Sequence, residues 1–264
     1  MNELLQRIAG WRERVPRFTS QGLVPWTVDA LPAGWVRPDL AARMLDSALF
    51  EQTSGGLALA DHLGGPLGRS RALQAFAETL RADGWIDGWR DEAYDWLDDW
   101  GRVRFSLERA AFRTLGLCSR AVHVNGYRDD DTLWIGRRAA HKAVDPGRLD
   151  NLAAGGIASG ETPEDTLVRE LAEEAGVPGW LAALARPAQI VRTTRLEPEG
   201  VHDELLYCFD LPLPPDFVPA NIDGEVAGFE PMKLAEAAAR LDEMTWDAAT
   251  VTVGWIERWL DGEV

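Results

Sequence analysis

Three glutamates near the middle of the 264-residue chain have a spacing that gathers them on one face of a helix. With successive residues about 100° apart, Glu170, Glu173 and Glu174 fall within an arc of about 100°, and the adjoining arc is apolar. Like charges at such spacings cost about 0.2–0.5 kcal/mol per pair. A hard divalent cation would reverse this cost, because magnesium takes oxygen ligands and bridges carboxylates to phosphates. A solvated acidic face is the alternative, and the spacing alone leaves both interpretations open.

The helix that carries these glutamates is predicted over residues 163–175. Thr162 is a typical N-cap residue, and Pro163 suits the first helical position. Gly176 is a typical C-terminal stop, with a proline two residues later. Glutamate and aspartate in the first turn also suit the positive end of the helix.

The segment from Gly155 to Val177 resembles the Nudix box. In that family the box reads glycine, five residues, glutamate, seven residues, Arg-Glu, an aliphatic residue, any residue, Glu-Glu, any residue, glycine and an aliphatic residue. Every fixed position has a matching residue here: Gly155, Glu161, Arg169, Glu170, Leu171, Glu173, Glu174, Gly176 and Val177. The resemblance implies a hydrolase that cleaves a diphosphate linkage with Mg²⁺, for which Mn²⁺ can substitute.

The resemblance also implies a role for each matched residue. The metal ligands would be the carbonyl of Ala154 and the side chains of Glu170, Glu173 and Glu174, and Arg169 would pair with Glu161. Such supporting contacts orient the ligands of metal sites. Gly155, Glu161 and Gly176 are predicted to give structural support. The predicted catalytic residues are Glu170, Glu174, Glu225 and Arg169; Glu225 lies outside the box and is equally well interpreted as a turn residue beside Gly224.

A basic cluster precedes the box. Arg137, Arg138 and Lys142 are predicted to receive the phosphate of the substrate. Surface charge balance against Asp145 and Asp150 is the alternative. The four histidines show no ligand spacing, and none is expected to be catalytic.

The similarity to the Nudix family extends over most of the chain. Residues 120–230 resemble a subfamily of plant and fungal Nudix hydrolases with an N-terminal thiamine-pyrophosphokinase-related domain, and residues 88–92 resemble part of that extra domain. Some members act on oxidised forms of thiamine diphosphate. We therefore predict an N-terminal domain over residues 1–115 that shapes the substrate pocket and supplies no metal ligand. Residues 116–264 are predicted to form the Nudix domain.

The periodicity of the chain predicts an α+β fold, an α/β/α sandwich preceded by a smaller α/β domain. Short strands are expected at residues 121–124, 133–136, 189–194 and 205–210. Further helices are expected at residues 2–14, 39–49, 69–82, 108–115, 233–242 and 247–260.

The composition of the chain limits the kinds of molecule that it is expected to bind. A formal net charge of -16 opposes binding to nucleic acid or to anionic membranes. No apolar run is long enough to span a bilayer, and Cys118 and Cys208 do not form a disulfide framework. We expect a cytoplasmic protein with a small-molecule diphosphate substrate, and a homodimer is left open.

One other substrate class, one other enzyme class and one non-enzymatic role stay open. The substrate alternative is a nucleoside-diphosphate derivative, which differs only in the recognition pocket. A Nudix-fold isomerase of prenyl diphosphates would need a catalytic cysteine, and neither cysteine lies in such a motif. A non-catalytic binding protein is usually accompanied by an eroded box, whereas this one is intact.

Overall fold

Residues 24–117 form a small α/β unit with its own apolar core. The computed structural model describes residues 2–15 and 17–264. The elements of this part, after a first helix α1 (Asn2–Arg14), are β1 (Val24–Val28), β2 (Leu31–Val36), α2 (Pro38–Leu45), β3 (Phe50–Thr53), β4 (Gly56–Leu59), α3 (Pro66–Ala82), β5 (Ala93–Leu97), β6 (Val103–Glu108) and α4 (Ala110–Leu115).

This unit contains a four-stranded sheet and a separate hairpin. The strand order is β2-β1-β4-β3, with β1 and β4 parallel, and β5 pairs with β6. Trp26 lies at the centre of the core, and its indole N–H donates to the carbonyl of Leu115 at 2.8 Å. The end of α4 is thereby tied to the sheet. The strands escaped the sequence analysis because prolines and glycines interrupt β1 and β2 and because β3 and β4 are only four residues long.

The second half of the chain is built on a seven-stranded mixed sheet. Its elements are β7 (Cys118–Arg128), β8 (Thr132–Arg138), β9 (Leu149–Asp150), β10 (Ala153–Gly156), α5 (Pro163–Ala175), α6 (Gly179–Ala182), β11 (Arg186–Glu197), β12 (Gly200–Pro212), β13 (Val226–Lys233), α7 (Leu234–Ala239) and α8 (Trp246–Asp261). The order is β11-β12-β7-β8-β13, with β10 paired to β7 and β9 to β8.

Helices cover both faces of this sheet. One face packs against α5 and α6 through a core that includes Val122, Leu171 and Leu211. The other face packs against α7 and α8, where Trp255 is fully buried. The predicted α+β class and the α/β/α layering are confirmed. The expected helix at 233–242 is shorter, since α7 ends at Ala239 and a 3₁₀ turn follows.

Helix α1 lies apart from the core of residues 24–117. Its Ile8 and Trp11 are buried against the layer of α7 and α8, and the Trp11 ring is 5.4 Å from that of Trp246. Helix α1 therefore packs with α7 and α8, although it precedes the small unit in the sequence. Within residues 2–15 and 17–264, no helix combines the length and apolar character needed to cross a membrane.

Candidate active site

Helix α5 has the bounds predicted from its caps. The Thr162 hydroxyl accepts from the amide N–H of Asp165 at 3.1 Å, and the Asp165 carboxylate accepts from the amide of Thr162 at the same distance. This reciprocal capping satisfies amide groups that have no partner in the helix. Gly176 ends the helix in the left-handed region, with φ of 64°. The helix start and end are thus set locally, which fixes the phase of its acidic face.

The three glutamates of that face differ in exposure. Glu170 and Glu174 are buried, at 8% and 6% exposure, whereas the Glu173 side chain is half exposed. The amide of Ala154 donates to Glu174 Oε2 at 2.9 Å, which joins β10 to the helix. A Cβ atom at Gly155 would lie 1.8 Å from Glu170 Oε1, so only glycine allows Glu170 to lie against the strand.

Burial shifts the pKa of both Glu170 and Glu174. Burial, the largest cause, raises the pKa of Glu170; the charge and hydrogen bond of Arg169 offset part of this rise, and the charges of Glu173 and Glu225 add to it. The pKa of Glu174 is raised well above its usual value, again first by burial and then by the charge of Glu170. The two buried carboxylates lie beside the backbone of β10, and their oxygens form a donor set that suits a hard divalent cation such as Mg²⁺.

Arg169 holds the loop that precedes the helix. Its Nε and Nη2 donate to the two carboxylate oxygens of Glu161, both at 2.9 Å, so the predicted pairing is present as a two-bond fork. Nη1 also donates to Glu170 Oε1 at 2.7 Å. Hydrogen bonding from Arg169, the largest cause, lowers the pKa of Glu161 to about 2. Arg169 therefore links the loop to a predicted metal ligand.

A turn after β12 brings Glu225 to the acidic face. The amides of Ala220 and Asp223 donate to the carbonyls of Ala175 and Glu173 at the end of α5, at 3.1 and 3.2 Å. Glu225 forms an ion pair with Lys142. The positive charge of Lys142 offsets a small part of the rise that burial causes in the pKa of Glu174. Lys142 and Glu225 are thus brought together beside the helix, although 83 residues separate them.

The basic cluster is only partly assembled. Arg138 points to the side of the site, where its Nη1 donates to Asp150 Oδ2 at 2.8 Å. Arg137 does not join it, because consecutive strand residues face opposite sides of a sheet. Its guanidinium donates to Glu230 at 3.1 Å, together with Arg240, on the face that α7 covers. The structure thus separates Arg137 from Arg138 and Lys142, and a contact of Arg137 with the substrate stays a prediction.

The small N-terminal unit reaches the box, which the sequence analysis missed. Tyr94 lies so close to Gly156 that a Cβ atom there would be 1.6 Å from the Tyr94 hydroxyl. The neighbouring Asp95 accepts hydrogen bonds from the box loop, from the Ser159 hydroxyl at 2.6 Å and the Gly160 amide at 3.0 Å. No sequence signal marks this contact, since Tyr94 and Asp95 lie on a strand in the other half of the chain.

Comparison with known proteins places the chain in a family. A family model described as "NUDIX domain" matches residues 119–252, half of the chain. The chain belongs to the Nudix hydrolase family. A second model, described as "Domain of unknown function (DUF4743)", matches residues 3–119. The prediction of a Nudix hydrolase is therefore confirmed, and the segment before the Nudix domain has a family but no named role.

Two plant Nudix hydrolases are similar over most of the chain. Nudix hydrolase 24, chloroplastic, of Arabidopsis thaliana is 34% identical over 244 residues, which cover 88% of this chain and 67% of that protein. Nudix hydrolase 20, chloroplastic, of the same plant is 36% identical over 192 residues, 71% of this chain and 51% of that protein. The chain thus spans between about half and two thirds of these relatives.

One solved structure is similar in fold to this chain. The crystal structure of DR0079 from Deinococcus radiodurans superposes with a TM-score of 0.51 at 25% identity, covering 61% of this chain and 97% of that chain. The match is consistent with the seven-stranded sheet and its helices as a Nudix fold.

A cavity of about 310 Å³ lies between the N-terminal unit and the Nudix domain. Tyr94 and Arg109 line it from one side, and Val144 and Glu204 line it from the other. Val144 is in the same loop as Lys142, and Tyr94 reaches Gly156 of the Nudix box. The cavity therefore adjoins the box and is large enough to receive part of a substrate.

A second group of possible ligands lies beside this cavity. One ligand atom each of His202, Glu204 and Asp247 lies within 4.8 Å of the others. Arg113 contacts the Nδ1 atom of His202 at 3.1 Å, and a guanidinium only donates, so the neutral ring carries its proton on Nε2. That nitrogen faces Asp247 Oδ2 at 3.4 Å, while Arg195 already pairs with Asp247. We interpret the trio as a polar network between α4 and α8, and the expectation that no histidine is catalytic stays a prediction.

Proposed function

We propose that the chain hydrolyses a diphosphate linkage in a small organic substrate with the help of Mg²⁺, for which Mn²⁺ can substitute. The observation that carries this proposal is the buried pair Glu170 and Glu174 at the Ala154 backbone. Two buried like charges are costly unless a cation compensates them. The ion would be held by the Ala154 carbonyl and by Glu170, Glu173 and Glu174.

A divalent ion at these residues would polarise phosphoryl oxygens and lower the pKa of a bound water. The chain's own residues orient the reactants around it. Arg169 holds Glu170 against the strand, and Lys142 offers a cation to a phosphate that enters beside the helix. When a phosphate takes the ammonium group of Lys142, the Glu225 carboxylate loses its partner and is able to accept the proton of the attacking water.

For the organic part of the substrate we propose a thiamine-type diphosphate, which is the class implied by the sequence resemblance. The cavity beside the box supports an aromatic group with a positive charge, because Tyr94 and Phe112 line it together with Glu204 and Asp203. Its lining includes none of the chain's tryptophans. The twelve tryptophans of the chain therefore give no support to this choice of substrate.

A nucleoside-diphosphate derivative is the second candidate. Arg90, Arg109 and Arg113 also line the cavity, and Arg109 lies over the Tyr94 ring at 5.1 Å. Arginines suit additional phosphates, and the paired ring and guanidinium suit a stacked base. The cavity contains groups for both substrate classes.

Relative turnover separates the two classes. The values of kcat/KM for thiamine diphosphate, its oxidised analogues, ADP-ribose and NADH are to be compared at one Mg²⁺ concentration. A nucleotide turned over at least about tenfold better, worth about 1.4 kcal/mol of transition-state binding, would contradict the thiamine proposal. Loss of all turnover in Glu173→Gln and Glu174→Gln is expected for either class, and near-normal turnover in both would contradict the metal site.

We also propose a cellular location and possible partners for the protein. Both cysteines are free thiols, which agrees with a reducing compartment, and we propose a cytoplasmic protein. The partner is expected to be a small molecule and neither nucleic acid nor membrane, given the net charge of -16. The division into domains at residues 1–115 and 116–264, and a homodimer, stay predictions.

A further inference from the structure

One buried carboxylate of the N-terminal unit forms hydrogen bonds with the loop of the Nudix box. Asp95 on β5 is 7% exposed, and its Oδ1 accepts from the hydroxyls of Ser159 and Ser106, both at 2.6 Å. Its Oδ2 accepts from the amide of Gly160 at 3.0 Å. The carbonyl of Ala93, on the same strand, accepts from the amide of Ser159 at 2.8 Å. Four hydrogen bonds thus join at this point, and three of them come from the loop of the Nudix box.

This loop is followed directly by α5, which carries the predicted metal ligands. Gly160 is in the left-handed region with φ of 85°, and the next residue is Glu161. Glu161 accepts the two-bond fork of Arg169 and a hydrogen bond from Thr166 at 2.8 Å. Arg169 in turn donates to Glu170 at 2.7 Å. The connection from Asp95 to a predicted metal ligand therefore runs through the backbone from Gly160 to Glu161 and then through the hydrogen bonds of Arg169.

We propose that Asp95 is a positioning residue of the Nudix site: it holds the loop at Ser159 and Gly160 and, through Glu161 and Arg169, holds Glu170 where a divalent ion is bound. This inference rests on the proposed metal-dependent function. It assigns the segment matched as a domain of unknown function a task in the site, although none of the four predicted metal ligands lies in that segment. Residues that orient metal ligands typically contribute about 10- to 100-fold to metal affinity.

The hairpin that carries Asp95 offers a matched control. Asp98 is also 7% exposed and accepts from the amides of Trp100 and Arg102, both at 3.0 Å. Its hydrogen bonds and its ion pairs with Arg102 and Arg104 stay within the hairpin of β5 and β6 and do not reach the box. Asp98→Asn therefore reports the loss of a buried capping carboxylate in the same hairpin without the contact to the box.

The test measures Mn²⁺ binding to the full chain without substrate, by calorimetry or electron paramagnetic resonance. Asp95→Asn is expected to weaken Mn²⁺ binding by about tenfold or more, and Asp98→Asn to leave it within about twofold even if both lower the melting temperature. Ser159→Ala removes the hydroxyl of an exposed residue, which donates to Asp95 and also contacts Ser106. It keeps the loop backbone and is expected to weaken Mn²⁺ binding by a few-fold. The double variant Asp95→Asn with Ser159→Ala is expected to be less than additive, because both changes break one contact.

Equal Mn²⁺ affinity in Asp95→Asn and the unchanged protein would overturn the proposal, as would an equal loss in Asp98→Asn. If Asp95→Asn does not fold, an unchanged affinity in Ser159→Ala overturns it by itself. A chain that binds Mn²⁺ with the expected Asp95 dependence but hydrolyses no diphosphate would instead contradict the proposed function and leave the positioning role supported.

Discussion

Replacing Glu174 by glutamine is expected to stabilise the metal-free protein and to abolish its stabilisation by Mg²⁺. Glu174 is buried, its charge adds to that of Glu170 one helical turn earlier, and the amide of Ala154 is its one hydrogen-bond donor in the described chain. Glutamine keeps the shape and an oxygen that accepts from Ala154. The substitution therefore removes the charge and leaves the packing in place.

The size of the effect follows from the spacing of the two carboxylates. Helical neighbours four residues apart have Cβ atoms about 5–6 Å apart. Two unit charges at that distance repel by about 3 kcal/mol at an effective dielectric constant of about 20. The Arg169 guanidinium, 2.7 Å from Glu170, offsets part of this repulsion. We expect a gain of about 1–2 kcal/mol, which corresponds to a melting temperature higher by about 2–8 °C.

The gain has a defined pH dependence. Burial raises the pKa of Glu174 in the folded protein above its value in the unfolded chain. The folded state therefore holds the proton more tightly, and the cost of the charge is absent below the unfolded pKa and appears as pH rises through the folded pKa. Glutamine relieves this cost, so its advantage should be clear at neutral pH and vanish near pH 4.

Thermal unfolding with and without Mg²⁺ measures both effects. The unchanged protein should gain stability with Mg²⁺, and Glu174→Gln should gain little. The control is Glu173→Gln, at a half-exposed residue of the same face, which should lose the metal effect but change the metal-free melting temperature little. A metal-free melting temperature that falls in Glu174→Gln, or an undiminished response to Mg²⁺, would refute the reasoning.

Three further predictions concern the surroundings of the helix. Gly155→Ala should displace Glu170, because the new Cβ atom would lie 1.8 Å from its Oε1, and should lower Mn²⁺ affinity by about 10- to 100-fold in calorimetry. Glu161→Gln should lower the stability of the protein at neutral pH and make that stability fall less steeply in acid. The reason is that the pKa of Glu161 is about 2 in the folded protein, so its carboxylate stabilises the fold above the usual pKa of 4.5 and does so less as pH falls towards 2. An acid denaturation curve with an unchanged slope would contradict this. Lys142→Gln should raise KM for a diphosphate, whereas Arg137→Gln, on the other face, should not; equal KM values in both variants would remove the phosphate role of Lys142.

The chain itself determined the helix that carries the chemistry. Its N-cap at Thr162 and its stop at Gly176 are local signals, so its bounds and the shared face of Glu170 and Glu174 follow from nearby residues. The fork between Arg169 and Glu161 could also be predicted, because eight residues separate the two and the family pattern places both. The α+β class followed from periodicity in the same way.

Only the tertiary structure decided how distant segments complete the site. Glu225 meets Lys142 because the turn after β12 folds onto the end of α5, and Arg137 is turned away because strand alternation points it to the opposite face. The contact of Asp95 with the box loop depends on how two separately formed cores pack together. Such contacts leave no periodicity or spacing along the chain, since each partner satisfies its own local structure and the pairing is settled only when the two surfaces are brought together.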